Sequence, residues 1–292
     1  MNKIFVPPIK IQGIKTKLVP LIKQNILPID AVFWVEPFMG SGVVGFNLRP
    51  HRALFTDNNP HIIKFYDALK LGKISSDLIR EFLTEQGKLL SERGEIHYYE
   101  VRKRFNKFHE SLDFLFLNRA CFNGVIRFNR EGKFNVPYGH KPQRFSKAYI
   151  TKIVNQVRYI EECLACFDWK FLCQDFRETL NQLDDSKQSF IYCDPPYIGR
   201  HVDYYNSWNE NDERTLFEML QRSGKPFMIS TWLGNKFRVN PCVEKVWRFC
   251  RKITREHFYH VGAKEINRNS IVEAVLMNYK PSEETNGLQR FA

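Results

Sequence analysis

Short apolar runs alternate with amphipathic stretches along most of the chain. The runs "AVFWVEPF" (31–38), "RALFTD" (52–57), "KFLCQD" (170–175), "SFIYCDPPY" (189–197), "KPFMIST" (225–231) and "IVEAVLMNY" (271–279) read as buried strands. Between them, "PHIIKFYDALKL" (60–71) and "ERTLFEMLQRSG" (213–224) carry apolar residues at helical spacing. This alternation predicts an α/β fold with a mostly parallel sheet flanked by helices. Three runs end in an acid, at Asp57, Asp175 and Asp194, and Glu36 lies close to the end of a fourth. Ligands of open α/β sheets bind beyond the carboxyl ends of the strands, so these acids are expected to converge on one crevice.

The pattern changes between about residues 69 and 149. That region is rich in Lys, Arg, His and aromatics, and "SERGEIHYYEVRKRFNKFHE" (91–110) reads as one charged helical segment. The expected organisation is a sheet domain made of residues 1–68 and 150–292, interrupted by an insert over 69–149. Two turn signals, Asn-Gly at 123–124 and Glu-Gly at 131–132, lie within the insert, and the second separates short runs in the manner of a β-hairpin.

Composition narrows the classes. The chain has 292 residues, 43% hydrophobic and 14% aromatic, enough to bury a substantial core and too apolar for a disordered chain. Its formal net charge of +12 favours a polyanionic partner such as nucleic acid. No apolar run is long enough to span a bilayer, and the opening "MNKIFVPPIK" lacks the apolar stretch of a secretory signal, so a cytoplasmic protein without a membrane partner is expected. The odd count of seven cysteines points to reduced thiols. Cys163 and Cys166 form a CxxC inside the apolar run "YIEECLACFDW", with no second pair or His cluster to complete a metal site, and read as core thiols. The tail "KPSEETNGLQRFA" (280–292) is expected to be a poorly ordered end.

The candidate chemistry begins at "VEPFMGSGVVGFN" (35–47), where Gly40 and Gly42 stand at a strand-to-helix turn. Glycines there either serve the turn itself or let the backbone approach a ligand at the helix N-terminus. The spacing is not a dinucleotide fingerprint, and no Gly-Lys-Ser follows, which disfavours NAD and ATP. Asp57 is placed either to accept ribose hydroxyls or to cap the next helix. Asp175 can likewise cap the helix that follows, "FRETLNQL". In "DPPY" (194–197) the prolines can neither continue a helix nor donate to a sheet ladder, so the strand stops with an acid held beside an aromatic on a stiff loop.

Taken in order, "EPFMGSG", "TDNNP" and "DPPY" resemble the Dam-type (D12) class of DNA adenine-N6 methyltransferases, which use S-adenosylmethionine. The stretch "FLFLNRACFNGVIRFNREGKFNVPYG" (114–139) is similar to that family's LNR, F/Y-N-G and F-N-V-P-F/Y-G pattern. "KIQGIKTKLVP" (10–20) resembles its K-W-x-G-x-K segment at Lys10, Gly13 and Lys15, with Ile11 where the family has tryptophan. The resemblance covers about 9–66 and 114–200 and thins beyond.

The resemblance implies a Rossmann-like methyltransferase sheet carrying a helical plus β-hairpin DNA-recognition insert. It assigns the cofactor to Lys10, Ile11, Gly13, Lys15, Glu36, Pro37, Phe38, Gly40, Gly42, Asp57, Asp175, Phe176 and Asp194, and catalysis to Asp194, Pro195, Pro196 and Tyr197. An exocyclic adenine amine is a poor nucleophile because its lone pair is delocalised. Acceptance of its two hydrogens by the Asp194 carboxylate and the Pro195 carbonyl would turn that lone pair toward the methyl donor, while Tyr197 stacks on a base flipped out of the duplex. Arg127 would contact a guanine, Val125 and Pro137 would touch bases, Arg119 would bind phosphate, and Asn123, Asn135 and Tyr138 would complete the DNA surface.

The implied activity is site-specific adenine-N6 methylation of double-stranded DNA, by a monomer acting beside a restriction endonuclease or alone, with no metal. Cytosine-N4 methylation by the same amino-group chemistry is the alternative enzyme reading. A DNA-binding protein of this fold that has lost transfer is the alternative from another class. Glutamine methylation is disfavoured, since that chemistry goes with Asn in place of Asp194.

Overall fold

The computed structural model describes residues 3–28, 32–184, 188–198, 208–235, 239–258 and 270–281. Most of the tail 280–292 lies outside them. In chain order the elements are α1 (Val19–Asn25), β1 (Phe33–Glu36), α2 (Val43–Leu48), β2 (Arg52–Asp57), α3 (Pro60–Lys70), α4 (Ser76–Arg93), α5 (Glu95–Phe108) and α6 (Ser111–Ala120). There follow α7 (Lys147–Cys166), β3 (Asp168–Cys173), α8 (Phe176–Asn181), β4 (Ser189–Cys193), α9 (Glu210–Ser223), β5 (Phe227–Asn235), α10 (Pro241–Lys245), β6 (Arg251–Phe258) and β7 (Ser270–Met277).

The seven strands form one sheet in the order β3-β2-β1-β4-β5-β7-β6. The first five are parallel, and β7 runs antiparallel between β5 and β6. From β1 the chain winds outward through β2 and β3, then returns to start the other half at β4. The strand order therefore reverses between β1 and β4, the position at which doubly wound sheets open a crevice. Period-two alternation divides each strand between two cores. Trp34, Tyr192, Met228 and Val275 face one, and Val35, Ile191, Ile229 and Ala274 face the other.

All the strands expected from the apolar runs are present, β6 is an addition, and "SERGEIHYYEVRKRFNKFHE" is two helices. β6, "RKITREHF", lies at the sheet edge with a mostly exposed, charged sequence, so it lacks the apolar run of a buried strand. Gly94, at φ 58°, ends α4 and starts α5. The expected limits of the insert fall inside α3 and α7. One continuous core passes from Trp34 and Phe55 in the sheet through Phe65 of α3 to Phe105, Phe114 and Phe128 of the inserted region.

Within that region, Cys121 bridges Tyr138 and Phe128 bridges Phe134, both antiparallel, as isolated pairs. Asn129 and Asn135 donate backbone hydrogen bonds to Lys133 and Arg127. The 121–138 loop thus folds back on itself as a hairpin would, held by single bridges instead of regular strands. Of the CxxC pair, Cys163 is buried in α7 and Cys166, its last residue, is exposed, so only the first is a core thiol.

Candidate active site

The sheet face that carries Trp34 and Tyr192 becomes polar at one edge. By strand parity, Glu36 of β1, Asp194 just after β4, Ser230 of β5 and Glu273 of β7 share that face on four adjacent strands. Lys15 pairs with Asp194, Nζ to Oδ2 at 2.9 Å, and also donates to the Gly13 carbonyl at 2.7 Å. The Ser230 hydroxyl donates to Asp194 Oδ1 at 2.9 Å. With its hydrogen committed there, Ser230 Oγ accepts from the Tyr192 hydroxyl, also at 2.9 Å. Burial pushes the Asp194 carboxyl above its ordinary range, and Lys15 and Ser230 pull it back down. Glu36 is 1% exposed, and its Oε2 accepts from Trp34 Nε1 at 2.9 Å and from the Gly45 amide at 3.1 Å. Burial, with the Asp194 charge adding, raises its carboxyl to about 8.

The glycine loop lies beside this row. Gly40, at φ 48°, donates its amide to Asp57 Oδ2 at 2.9 Å. Asp57 Oδ1 accepts from the Asn59 amide at 2.9 Å, and Asn59 itself caps α3 by accepting from His61. Asp57 is thus buried at the tip of β2 and ties that strand to the loop after β1. Gly42 takes φ 73° where a Cβ would lie 2.6 Å from the Phe46 ring, so tight packing of the turn on α2 demands it.

Of these groups, Gly13, Lys15, Glu36, Gly40, Asp57 and Asp194 line one cleft of about 1190 Å³, and Gly42, Ser230 and Glu273 stand behind its lining. Phe38, Phe176 and Trp208 build an aromatic wall, with Phe38 stacked on Phe176 at 5.3 Å and edge-on to Trp208 at 5.5 Å. Glu213, at the start of α9, holds the Trp208 indole at 2.6 Å and that of Trp247 at 2.7 Å. Asp175 caps α8 by accepting from the Arg177 amide, and Arg177 bridges onward to Asp212. Phe122, Val125 and Arg127 of the 121–138 loop line the same cleft. An acid-tipped turn and a basic loop therefore open on the same space.

The sequence matches the D12 class N6 adenine-specific DNA methyltransferase family over residues 12–267. The chain belongs to that family. It is 33% identical to the DNA adenine methylase of Vibrio cholerae over 244 residues, 78% of this chain and 80% of that protein. It is 28% identical to the type II methyltransferase M.MjaIII of Methanocaldococcus jannaschii over 306 residues, 94% of this chain and 99% of that protein. The DNA adenine methylase of Escherichia coli K12 is 32% identical over 194 residues, 65% of this chain and 64% of that protein. This is an adenine-specific DNA methyltransferase with a Rossmann-like sheet.

In this methyltransferase the cleft gathers Ile11, Gly13, Lys15, Glu36, Pro37, Phe38, Gly40, Asp57, Asp175, Phe176, Asp194, Pro195, Pro196 and Tyr197, together with Val125 and Arg127. Several expected residues lie elsewhere. Arg119 is 7% exposed and donates to the Pro8 carbonyl and to Gln156, so it clamps the interior and does not present a phosphate-binding head. Burial lowers its guanidinium to about 10. Tyr138 is buried against Tyr98, ring centroids 5.3 Å apart, which removes it from the DNA surface. Asn135 accepts from Arg127 Nε at 2.8 Å and orients that arginine. Lys10 is tied by its main chain to Asn118 and packs its stem toward Gly124, outside the cleft lining. Burial and the nearby Arg119 and Arg144 lower its ammonium to about 8. Asn123 and Pro137 are exposed on the loop.

The sequence reading missed Phe122, Trp208, Ser230 and Glu273. Phe122 is 54% exposed at the cleft mouth, and an aromatic just before Asn-Gly was its visible signal. Glu273 was visible as an acid inside an apolar run. Nothing local marked Ser230. Among the described residues, no helix is long and apolar enough to cross a membrane, and no group of three His, Cys, Asp or Glu side chains could hold a metal.

Proposed function

We propose that the methyl donor is S-adenosylmethionine, held between the glycine loop and the aromatic wall, and that the acceptor is an adenine turned out of duplex DNA. The donor set fits. Gly13 and Gly40 leave a bare backbone floor at φ 79° and 48°, Asp57 is an acid suited to ribose hydroxyls, and Phe38 and Phe176 suit a purine face. Bound there, the sulfonium supplies an electrophilic methyl group.

The protein's own part is positioning. Asp194, oriented by Lys15 and Ser230, accepts one hydrogen of the adenine amine, and the Pro195 carbonyl accepts the other, so that the lone pair turns out of conjugation. Tyr197 stacks on the base and recovers about 1–3 kcal/mol of the cost of unstacking it. Arg127 reads a base edge, with Val125 and Pro137 making apolar contacts and Asn123 beside them. The basic surface supplies contacts to phosphate.

The observation that carries this reading is the shared cleft: Val125 and Arg127 line the same space as Asp194 and Tyr197. A base extruded beneath the loop would be delivered to the acid. The test is transfer of labelled methyl from S-adenosylmethionine to undermethylated plasmid, followed by nucleoside mass spectrometry. Labelled N6-methyladenine at one recurring motif is expected. N4-methylcytosine, or no transfer despite DNA binding, would overturn it.

A further inference from the structure

Glu273 stands near the start of β7, a strand whose other residues on that face, Val275 and Met277, belong to the apolar core. It is 2% exposed. A carboxylate in such a position is expensive to desolvate unless a specific partner rewards it. One partner is the Tyr197 hydroxyl, which donates to Glu273 Oε1 at 3.2 Å. Tyr197 itself sits on the loop after β4, half-buried and outside any helix or strand, so no ladder fixes its ring. Side chains that hold it include Glu273 at the hydroxyl and Lys15, whose Nζ lies 5.0 Å from the ring centroid.

The sheet is shaped for this contact. Glu273 pairs with Trp232 of β5, and the register shifts directly after that pair, where Gly234 faces Val272 and Leu233 is left over. Such an extra residue bends a strand and re-aims its neighbours, a device common beside active sites. Opposite Glu273 on β6, Arg255 donates to the Lys17 carbonyl at 2.7 Å, tying the same edge to the segment that carries Lys15.

We propose that Glu273 is a positioning residue for the target base: by accepting the Tyr197 hydroxyl it fixes the plane on which the adenine stacks. This rests on the reading of Tyr197 as the stacking platform. β7 thereby contributes to the active site, although its carboxyl end points the opposite way from those of the parallel strands.

The test uses duplex DNA with 2-aminopurine at the methylated adenine for the stacking signal, and the natural duplex for single-turnover transfer. Tyr197→Phe and Glu273→Ala should each slow transfer by about tenfold and alter the 2-aminopurine signal alike, with DNA affinity changed by less than about twofold. The double variant should be no slower than the worse single one, because both remove one contact. Glu273→Gln, which keeps an acceptor, should restore most of the rate. Effects that multiply in the double variant, or a Tyr197→Phe enzyme with the parent rate, would overturn the proposal. Should Glu273→Ala not fold, a slow Tyr197→Phe beside an active Glu273→Gln supports it and equal rates refute it. Tyr197→Ala separates the two layers. Its transfer at the parent rate defeats the stacking reading, whereas its defect with Glu273 uncoupled defeats only the positioning role.

Discussion

Asn118 holds Lys10 across 108 residues of sequence by pairing with its main chain as a strand would. The Lys10 amide donates to Asn118 Oδ1 at 2.8 Å, and Asn118 Nδ2 donates to the Lys10 carbonyl at 2.9 Å. Arg119 beside it takes the Pro8 carbonyl. The Leu-Asn-Arg of α6 is therefore a clasp that hangs the N-terminal segment, with Gly13 and Lys15, over the cleft. Arg144 adds to it from the far side by donating to the Cys121 carbonyl at 2.9 Å, fixing where the loop starts.

Removing the clasp should loosen the protein and the donor site together. Asn118→Ala leaves the half-buried amide and carbonyl of Lys10 without their side-chain partner and should cost about 1–3 kcal/mol of stability. Chemical denaturation measures it, and calorimetry should show weaker S-adenosylmethionine binding. A loss under about 0.5 kcal/mol, the range of ordinary surface changes, would count against the clasp.

Replacing the acid of the Asp-Pro-Pro-Tyr turn should separate binding from transfer. Asp194→Asn keeps the shape and one acceptor but removes the charge that pairs with Lys15. Transfer should fall by about a hundredfold or more, with donor binding within about threefold, since positioning of the amine is lost while the glycine loop remains. Single-turnover kinetics and calorimetry give the two numbers.

Glu36 makes stability depend on pH. Its carboxyl is raised from 4.5 to about 8 in the fold, so the folded state holds a proton that the unfolded chain has released. Stability from this group is full below about 4.5, declines as pH rises through the interval, and levels off above about 8. Glu36→Gln, neutral throughout, should flatten that decline while still accepting from Trp34 and Gly45. Melting temperatures of both proteins from pH 5 to 9 decide it, and parallel curves would argue for a Glu36 that is already ionised.

Arg127 should govern discrimination more than affinity. Arg127→Ala should narrow the gap between cognate and single-mismatch duplexes by about 1–3 kcal/mol in kcat/KM, the worth of a bidentate base contact. Asn135→Ala, which removes the side-chain bond to the arginine and leaves its bond to the residue-135 carbonyl, should have a smaller effect of the same kind. An unchanged gap in Arg127→Ala would leave the arginine as a phosphate contact at most.

Local order in the chain was enough to bring the strand-ending acids to one cleft. Strand-ending acids are legible because an apolar run fixes where a strand stops, and a parallel sheet brings those stops to one edge. Glu36, Asp57, Asp175 and Asp194 accordingly meet in one cleft. The prolines of Asp-Pro-Pro-Tyr act locally too, since they forbid both helix and ladder wherever they fall.

The direction in which similar side chains point is set by packing between distant segments. Arg119 and Arg127 stand eight residues apart in one motif, yet the first is enclosed by Pro8 and Gln156 and the second is exposed at the cleft. Burial of an arginine depends on which distant carbonyls the fold delivers to it, and short-range sequence holds no record of them. Glu273 is the converse case. Its neighbours in β7 predict a core strand, and only the assembled sheet, with β7 antiparallel beside β5, brings its carboxylate to the Tyr197 hydroxyl.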